Sequence, residues 1–428
     1  MSTRGTPRPA AIPWLIVVGV LVAALSLRGP IVAPTPVLRD IENDLDIGSA
    51  AAGLLTTAPV LMFALLTPLA ALVIRRSGAE LALLLSLSGV LLGTVVRALP
   101  GYPAMLAGMI VIGAAITIGN IVVPVIIRRD VPPERAGLMT AAYAATLNAG
   151  SLVTSLLTAP LASVVGWSWA LLLWAAITIA GIVLWSVHVR RARAAGDEWG
   201  DRYSGEQPRG GGARDLPSEA ITGPMPVVGS RTSVLRRPIA WLLMITFAGQ
   251  TTIYYALSTW LPALTADELG LDRSAAGALA SLFQGVGILG AFVVPLVARI
   301  APPLVPAIVI SACWLLLTGG ALAAPGLLWL WLSFGAVAHA GGFVVIFASL
   351  VAVARDDAEA AGMSALVQGG GYAIGALGAP VMGIVHEASG GWTVPLIGCL
   401  VIAVVYCVLL LSLTWITRGP RLRAPSGR

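Results

Sequence analysis

The chain contains no lysine; all 26 of its basic residues are arginine. That absence excludes Schiff-base chemistry on a lysine amine and the lysine of a phosphate-binding loop. Charge of either sign is scarce, at 11% of 428 residues, where a soluble domain carries about 25%. With 57% of residues hydrophobic, the chain reads as an integral membrane protein, its first partner the lipid bilayer. Cysteine is almost missing as well. Cys313, Cys399 and Cys407 fall in apolar stretches without metal-ligand spacing, so they read as small buried hydrophobes that say nothing of redox compartment. No Gly-x-Ser-x-Gly elbow, His-Glu-x-x-His helix or membrane carboxylate pair is found. The sequence therefore argues against an enzyme and offers no catalytic residue, metal site or cofactor.

What is there is a series of apolar segments at 12–34, 50–74, 79–99, 104–127, 136–160, 167–189, 239–262, 275–299, 303–323, 327–353, 361–385 and 393–416. Each is long enough to cross a hydrocarbon layer of about 30 Å as a helix, the form that satisfies its own backbone in lipid. The spacing predicts an all-α membrane protein of twelve transmembrane helices in two six-helix bundles, 12–189 and 238–416. The first run is too long for the apolar part of a signal peptide, so it counts as a span preceded by a short basic N-terminus, 1–11.

The net charge of +6 suggests nucleic acid only if topology is ignored. Arg75, Arg76, Arg128, Arg129, Arg135, Arg299, Arg355 and the 417–428 tail share one side when the N-terminus is cytoplasmic. Arg39, Arg97 and Arg273 then lie in outer loops with Asp40, Glu42, Asp44 and Asp46. This is the positive-inside pattern of an inner-membrane protein with both termini cytoplasmic. Residues 190–237 lack apolar periodicity and carry Gly210-Gly-Gly, several prolines and mixed charge, the composition of a flexible cytoplasmic linker.

The halves repeat one another. Ser49-Ala-Ala-Ala-Gly53 opens segment two and Ser274-Ala-Ala-Gly277 opens segment eight. Arg129-Asp130, Ala136-Gly137, Ala159-Pro160 and Gly166-Trp167 recur in order as Arg355-Asp356, Ala361-Gly362, Ala379-Pro380 and Gly391-Trp392. Such internal duplication marks transporters whose solute site lies between the repeats.

Arg28 stands in the first apolar segment, where an arginine near mid-membrane costs about 2.5–3.5 kcal/mol on insertion scales and cannot shed its proton. The membrane segments are expected to hold no carboxylate to pair with it. It reads as a positive spot in a polar cavity that attracts a small anion, or else as an arginine snorkelling to the outer headgroups. Asn120, Asn148, Gln250, His339 and Gln368 are mid-span amide or imidazole groups, each a cavity candidate and each equally an interhelical hydrogen bond. Tyr254, Tyr255 and Trp260 follow Gln250 along segment seven and can line the same cavity, although Trp260 also suits an interfacial belt. His339 can carry a proton or sit neutral and bonded.

Leu27-Arg-Gly-Pro30, Ala52-Gly-Leu-Leu-Thr-Thr-Ala-Pro59, Ile118-Gly-Asn120 with Val123-Pro124 and Arg128-Arg-Asp130, Ala136-Gly-Leu-Met-Thr140, Tyr255 with Trp260-Leu-Pro262, and Gln368-Gly-Gly-Gly-Tyr372 with His386-Glu and Gly391-Trp392 carry a resemblance. The chain resembles the major facilitator superfamily and, within it, the cyanate permease and 2-nitroimidazole transporter group. The resemblance implies a secondary transporter working by alternating access on a small-molecule solute, anionic or polar and cyanate-like, with Tyr372 joining the site; a monomer is the expected form. Two alternatives stand beside it: an exporter of drugs of the nitroimidazole type, and a non-transporting receptor or scaffold that works through 190–237. Two departures are visible. The superfamily's Gly-x-x-x-Asp-Arg-x-Gly loop reads Ile74-Arg-Arg-Ser-Gly78 without its acid, and His339 stands where the group has a glutamine or similar side chain.

The topology is testable by cysteine labelling. A cysteine at Asp44 should react with impermeant reagent from outside intact cells, and one at Ser204 only after the cytoplasmic face is opened; labelling of position 44 from the cytoplasmic face alone would reject this orientation.

Overall fold

The structure, a computed structural model, describes residues 14–194, 234–302, 304–355 and 357–417. The expected N-terminal segment 1–11, linker residues 195–233 and tail residues 418–428 lie outside the described residues. All regular structure among the described residues is helical: α1 (Trp14–Val32), α2 (Leu38–Leu45), α3 (Ser49–Ser77), α4 (Ala79–Val96), α5 (Tyr102–Asp130), α6 (Pro133–Val165), α7 (Trp167–Leu173), α8 (Ala175–Ala194), α9 (Pro238–Leu269), α10 (Arg273–Ile300), α11 (Leu304–Ala323), α12 (Leu328–Val353), α13 (Asp357–Gly375), α14 (Gly378–Ser389) and α15 (Thr393–Ile416). Ten helical stretches among the described residues are long and apolar enough to cross a membrane. The other two expected segments, 275–299 and 361–385, fall on α10 and on the pair α13–α14.

Several expectations need correction. The outer loop after segment one is a helix, α2, with Leu38 and Ile41 buried and Arg39 and Asp44 exposed; alternate apolar and charged residues at helical spacing explain it. The linker is shorter than 190–237, since α8 runs to Ala194 and Val234 is 4% exposed against Gly362. Arg237 adds an ion pair to Glu359 at 2.7 Å. Burial pushes the Glu359 carboxyl up, but the Arg355 N–H and the Arg237 guanidinium more than offset this and hold it below the usual range. Segment six breaks at Trp174 and segment eleven at Ala376–Leu377.

Nor are the segments free of carboxylate. Glu80 opens α4, buried, and pairs with Arg129 beside Asp130. The loop before it lacks the acid expected of the superfamily, and the buried acid stands two residues beyond Gly78 instead.

Arg97 departs furthest from expectation. It is fully buried rather than in an outer loop, with Nη1 donating to Pro30 O at 2.6 Å and Nη2 to Leu171 O at 3.2 Å. The cause lies in the backbone. The helical donor for the Pro30 carbonyl would be residue 34, a proline with no N–H, and the Leu171 carbonyl ends α7 just before the break at Trp174. In lipid such carbonyls need a partner, and one planar guanidinium reaches both.

Buried side chains form a core among residues 16–189 and another that lies almost wholly within 234–413. Contacts between the halves repeat with the sequence. A Cβ on Gly53 of α3 would meet the Ala379–Pro380 backbone at 2.7 Å, and one on Gly277 of α10 would lie 3.4 Å from Ser155 O and 3.8 Å from Ala159 Cβ in α6. Both glycines come from the repeated Ser-Ala-Ala openings, and both small surfaces let helices of opposite halves touch. The two repeat tryptophans also match: Trp167 Nε1 donates to Asp44 at 3.1 Å and Trp392 Nε1 to Asp267 at 2.7 Å. Around them the halves are tied by Arg39 with Asp267, Arg273 with Asp40 at 2.6 Å, and the Ser49 N–H donating to Glu387 at 3.1 Å. The bundle is closed at this end.

If Arg97 serves two orphaned carbonyls, Arg97→Met should lower the stability of purified protein by about 2–6 kcal/mol, an unpaired buried acceptor costing about 1–3 kcal/mol each. An unchanged melting temperature would show that water serves those carbonyls in its place.

Candidate functional site

Beneath the closed end lies a cavity of about 250 Å³. Both halves build it. Arg28, Thr35, Phe63, Asn120 and Asn148 line it from the first half, and Phe247, Gln250, Tyr254, Gln284, His339 and Tyr372 from the second. Its size falls below the range of about 300–1,000 Å³ usual for drug-sized ligands.

Arg28 faces this cavity from α1, because Leu27, Gly29 and Pro30 on its flanks are buried in the helix packing. Its Nη2 donates to the Tyr254 hydroxyl at 3.1 Å, across the boundary between halves. Among the described residues that oxygen is the guanidinium's only hydrogen-bond partner. The side chain is therefore held inward and does not snorkel. Among the described residues no carboxylate lines the cavity, so Arg28 makes its field positive.

Tyr254 stands in a column of rings. Its face stacks on His339 with centroids 3.7 Å apart at 11°, and Phe283 lies at 5.8 Å and 25° on the same column. The Gln284 amide donates to the same hydroxyl at 3.2 Å. His339 Nδ1 is buried without a hydrogen-bond partner among the described residues. Tyr372 closes another wall, edge-on to Phe63 at 6.0 Å and to Phe247 at 5.2 Å. The Phe63–Tyr372 contact also joins the two halves.

Of the residues expected from sequence, Arg28, Asn120, Asn148, Gln250, Tyr254, Tyr255, His339 and Tyr372 come together here. Gln250 is satisfied from both ends: Nε2 donates to His339 O at 2.9 Å and Oε1 accepts from Tyr406 at 3.1 Å. Its amide pins α9 to α12 and α15. Trp260 and Gln368 do not line the cavity. Trp260 is 1% exposed, donating to Ala379 O at 2.9 Å, so it belongs neither to the cavity nor to an interfacial belt. Gln368 is buried and donates to Ser364 Oγ within its own helix at 2.8 Å. The sequence reading missed Gln284, a mid-span amide that the criterion used for Gln250 would have found. It also missed Phe63, Phe247, Phe283 and Phe343, because an apolar ring in an apolar span carries no distinguishing signal.

A family model described as Major Facilitator Superfamily matches residues 16–362. The 2-nitroimidazole transporter of Escherichia coli (strain K12) is 29% identical over 400 residues, covering 92% of this chain and 94% of the relative. An uncharacterized transporter, YycB, of Bacillus subtilis (strain 168) is 27% identical over 394 residues, 90% of this chain and 89% of the relative. Among solved structures, a bacterial homolog of the human lysosomal transporter Spinster, inward-facing and unoccupied, superposes with a TM-score of 0.72 at 14% identity, covering 97% of this chain and all of that one (100%). A D-xylose–proton symporter gives a TM-score of 0.71 at 12% identity, with 96% and 99% coverage. These last two likenesses concern the fold.

His339 offers a test of proton linkage at the cavity. Transport by His339→Gln should persist with the parent's pH profile, because a second positive charge on a buried ring that shares the cavity of Arg28 is disfavoured; a profile that changes would reveal a proton role. A profile identical to the parent at every pH would exclude a proton role for this ring.

Proposed function

This chain belongs to the major facilitator superfamily, and we propose that it is a secondary transporter of a small anionic or polar solute, cyanate-like in size and charge. The observation that carries this reading is Arg28: an inward-facing guanidinium in a cavity of about 250 Å³ without a carboxylate on its wall. A charge so placed attracts an anion from either side when the halves alternate, and a cavity between duplicated halves suits that cycle. The arginine distribution supports an orientation with both termini cytoplasmic, as expected for an inner-membrane protein. The closed end carrying Arg39, Asp267 and Glu387 then faces outward, and the cavity opens toward the cytoplasm. On this reading 12–189 and 238–416 are the moving bundles.

A second reading has support of its own. The Escherichia coli relative is named for 2-nitroimidazole, and the ring-lined wall of Phe63, Phe247, Tyr254 and Tyr372 suits a flat heterocycle. The two readings differ in what Arg28 contributes.

The experiment is solute binding and proteoliposome flux with cyanate and 2-nitroimidazole, comparing the parent with Arg28→Gln. Charge-assisted hydrogen bonds contribute about 1.5–3 kcal/mol, which corresponds to a loss of about ten- to a hundredfold in cyanate affinity. Membrane yield should hold or rise, because a charge leaves the bilayer interior. Unchanged cyanate affinity in a folded variant would reject the anion site, and flux of 2-nitroimidazole alone would favour the second reading.

A further inference from the structure

Resting on that anion-site reading, we infer that Tyr254 is the second half's hydrogen-bond donor to the bound anion, so that the solute is held between one donor from each bundle. The argument begins with the hydroxyl's own bonding. A phenol oxygen has two acceptor positions and one proton. Both acceptor positions are taken, by Arg28 Nη2 at 3.1 Å from α1 and by Gln284 Nε2 at 3.2 Å from α10. Neither partner can accept in return, because a guanidinium carries only donors and the Gln284 contact is made by its amide nitrogen. The proton of Tyr254 therefore has no acceptor among the described residues and is directed to the cavity that the residue lines.

The ring cannot readily swing away to relieve this arrangement. It is 4% exposed and fixed on one face by His339 at 3.7 Å and 11°. Tyr255 meets it edge-on at 5.1 Å and 71°. A fixed O–H therefore stands beside a guanidinium with unused N–H groups, two donors of different halves converging on one small volume. An oxyanion fits that pair: it takes a charge-assisted bond from each and bridges the bundles beside the Arg28–Tyr254 and Thr56–Thr259 bonds that already cross between them. A neutral solute of the same shape gains much less. Donation by Tyr254 thus serves both selectivity for anions and the coupling of binding to movement between halves.

A donor must be told apart from a residue that merely positions Arg28. Replacing Tyr254 with 3-fluorotyrosine does so, because fluorine makes the phenol a better donor and a poorer acceptor while keeping ring and hydroxyl. Measured by calorimetry on the purified full chain, benzoate should bind the fluorinated protein about twofold tighter or more. Tyr254→Phe should bind benzoate about tenfold more weakly, and benzamide, its neutral counterpart, should be unaffected in both. Weaker benzoate binding by the fluorinated protein would overturn the donor role in favour of positioning, as would an equal loss for benzamide. Arg28→Gln is the control for the underlying reading. If it weakens benzoate while the fluorinated protein fails to gain, the inference alone falls; if Arg28→Gln leaves benzoate affinity unchanged, or the parent binds neither benzoate nor cyanate, the anion site falls with it. If the parent takes cyanate but not benzoate, cyanate serves as the probe in all three variants.

Discussion

Hydrocarbon supplies no hydrogen bonds, and this constraint makes each polar group within the spans account for its partner. Two arginines meet it in opposite ways. Arg97 is absorbed by the backbone, bonded to Pro30 O and Leu171 O where a proline and a helix break have left carbonyls without donors. Arg28 is given one neutral oxygen, that of Tyr254, and otherwise open space. A guanidinium with five donors and one neutral acceptor is underserved, and on the function proposed above an anion completes it. The same residue type is thus structural at one position and ligand-seeking at the other, and the neighbouring backbone decides which.

Duplication then explains where the cavity lies. The repeated Ser-Ala-Ala-Gly openings place Gly53 and Gly277 at matching crossings, α3 on α14 and α10 on α6. These crossings bring backbones of opposite halves into contact at the end that Arg39 and Asp267 close. Both repeats also end on a tryptophan that donates to an aspartate, Asp44 in one and Asp267 in the other, but Asp267 alone also takes Arg39 across the boundary. The tryptophan–aspartate contact thus stays within each half, and in the second its aspartate also ties the two halves together.

The fold was legible because lipid imposes it: length and apolarity placed the spans, and arginine distribution suggested their direction. The site was half legible. Arg28, Asn120, Asn148 and His339 announced themselves as polar groups in apolar runs, and they do line the cavity. Gln368 gave the same signal but spends its amide on Ser364 in its own helix. Trp260 misled because an indole suits cavity, interface and core alike, and only its bond to Ala379 O decides among them. Arg97 misled because charge near a span end reads as a loop, whereas the missing N–H of Pro34 that draws it inward lies in a different span. Orphaned carbonyls are predictable from proline positions; which side chain answers them depends on tertiary geometry.

The weakness of the central contact has a mechanical meaning. The outer end is held by charged groups, Arg39 with Asp267 and Arg273 with Asp40, yet three of these four are at least a third exposed on their side chains, where ion pairs contribute only about 0–1 kcal/mol. At the cavity, the described residues of the two halves share the bond between Arg28 and the neutral Tyr254 phenol and one between the Thr56 and Thr259 hydroxyls at 2.9 Å, neither of them an ion pair. Neither tie is strong, so the empty protein can exchange its contacts with little loss, as alternation requires. A strong central salt bridge would instead favour one arrangement and compete with the solute for Arg28. Among the described residues no carboxylate stands on the cavity wall, so none competes for the charge of Arg28, and on the anion reading proposed above the ligand becomes the strongest link between the two halves.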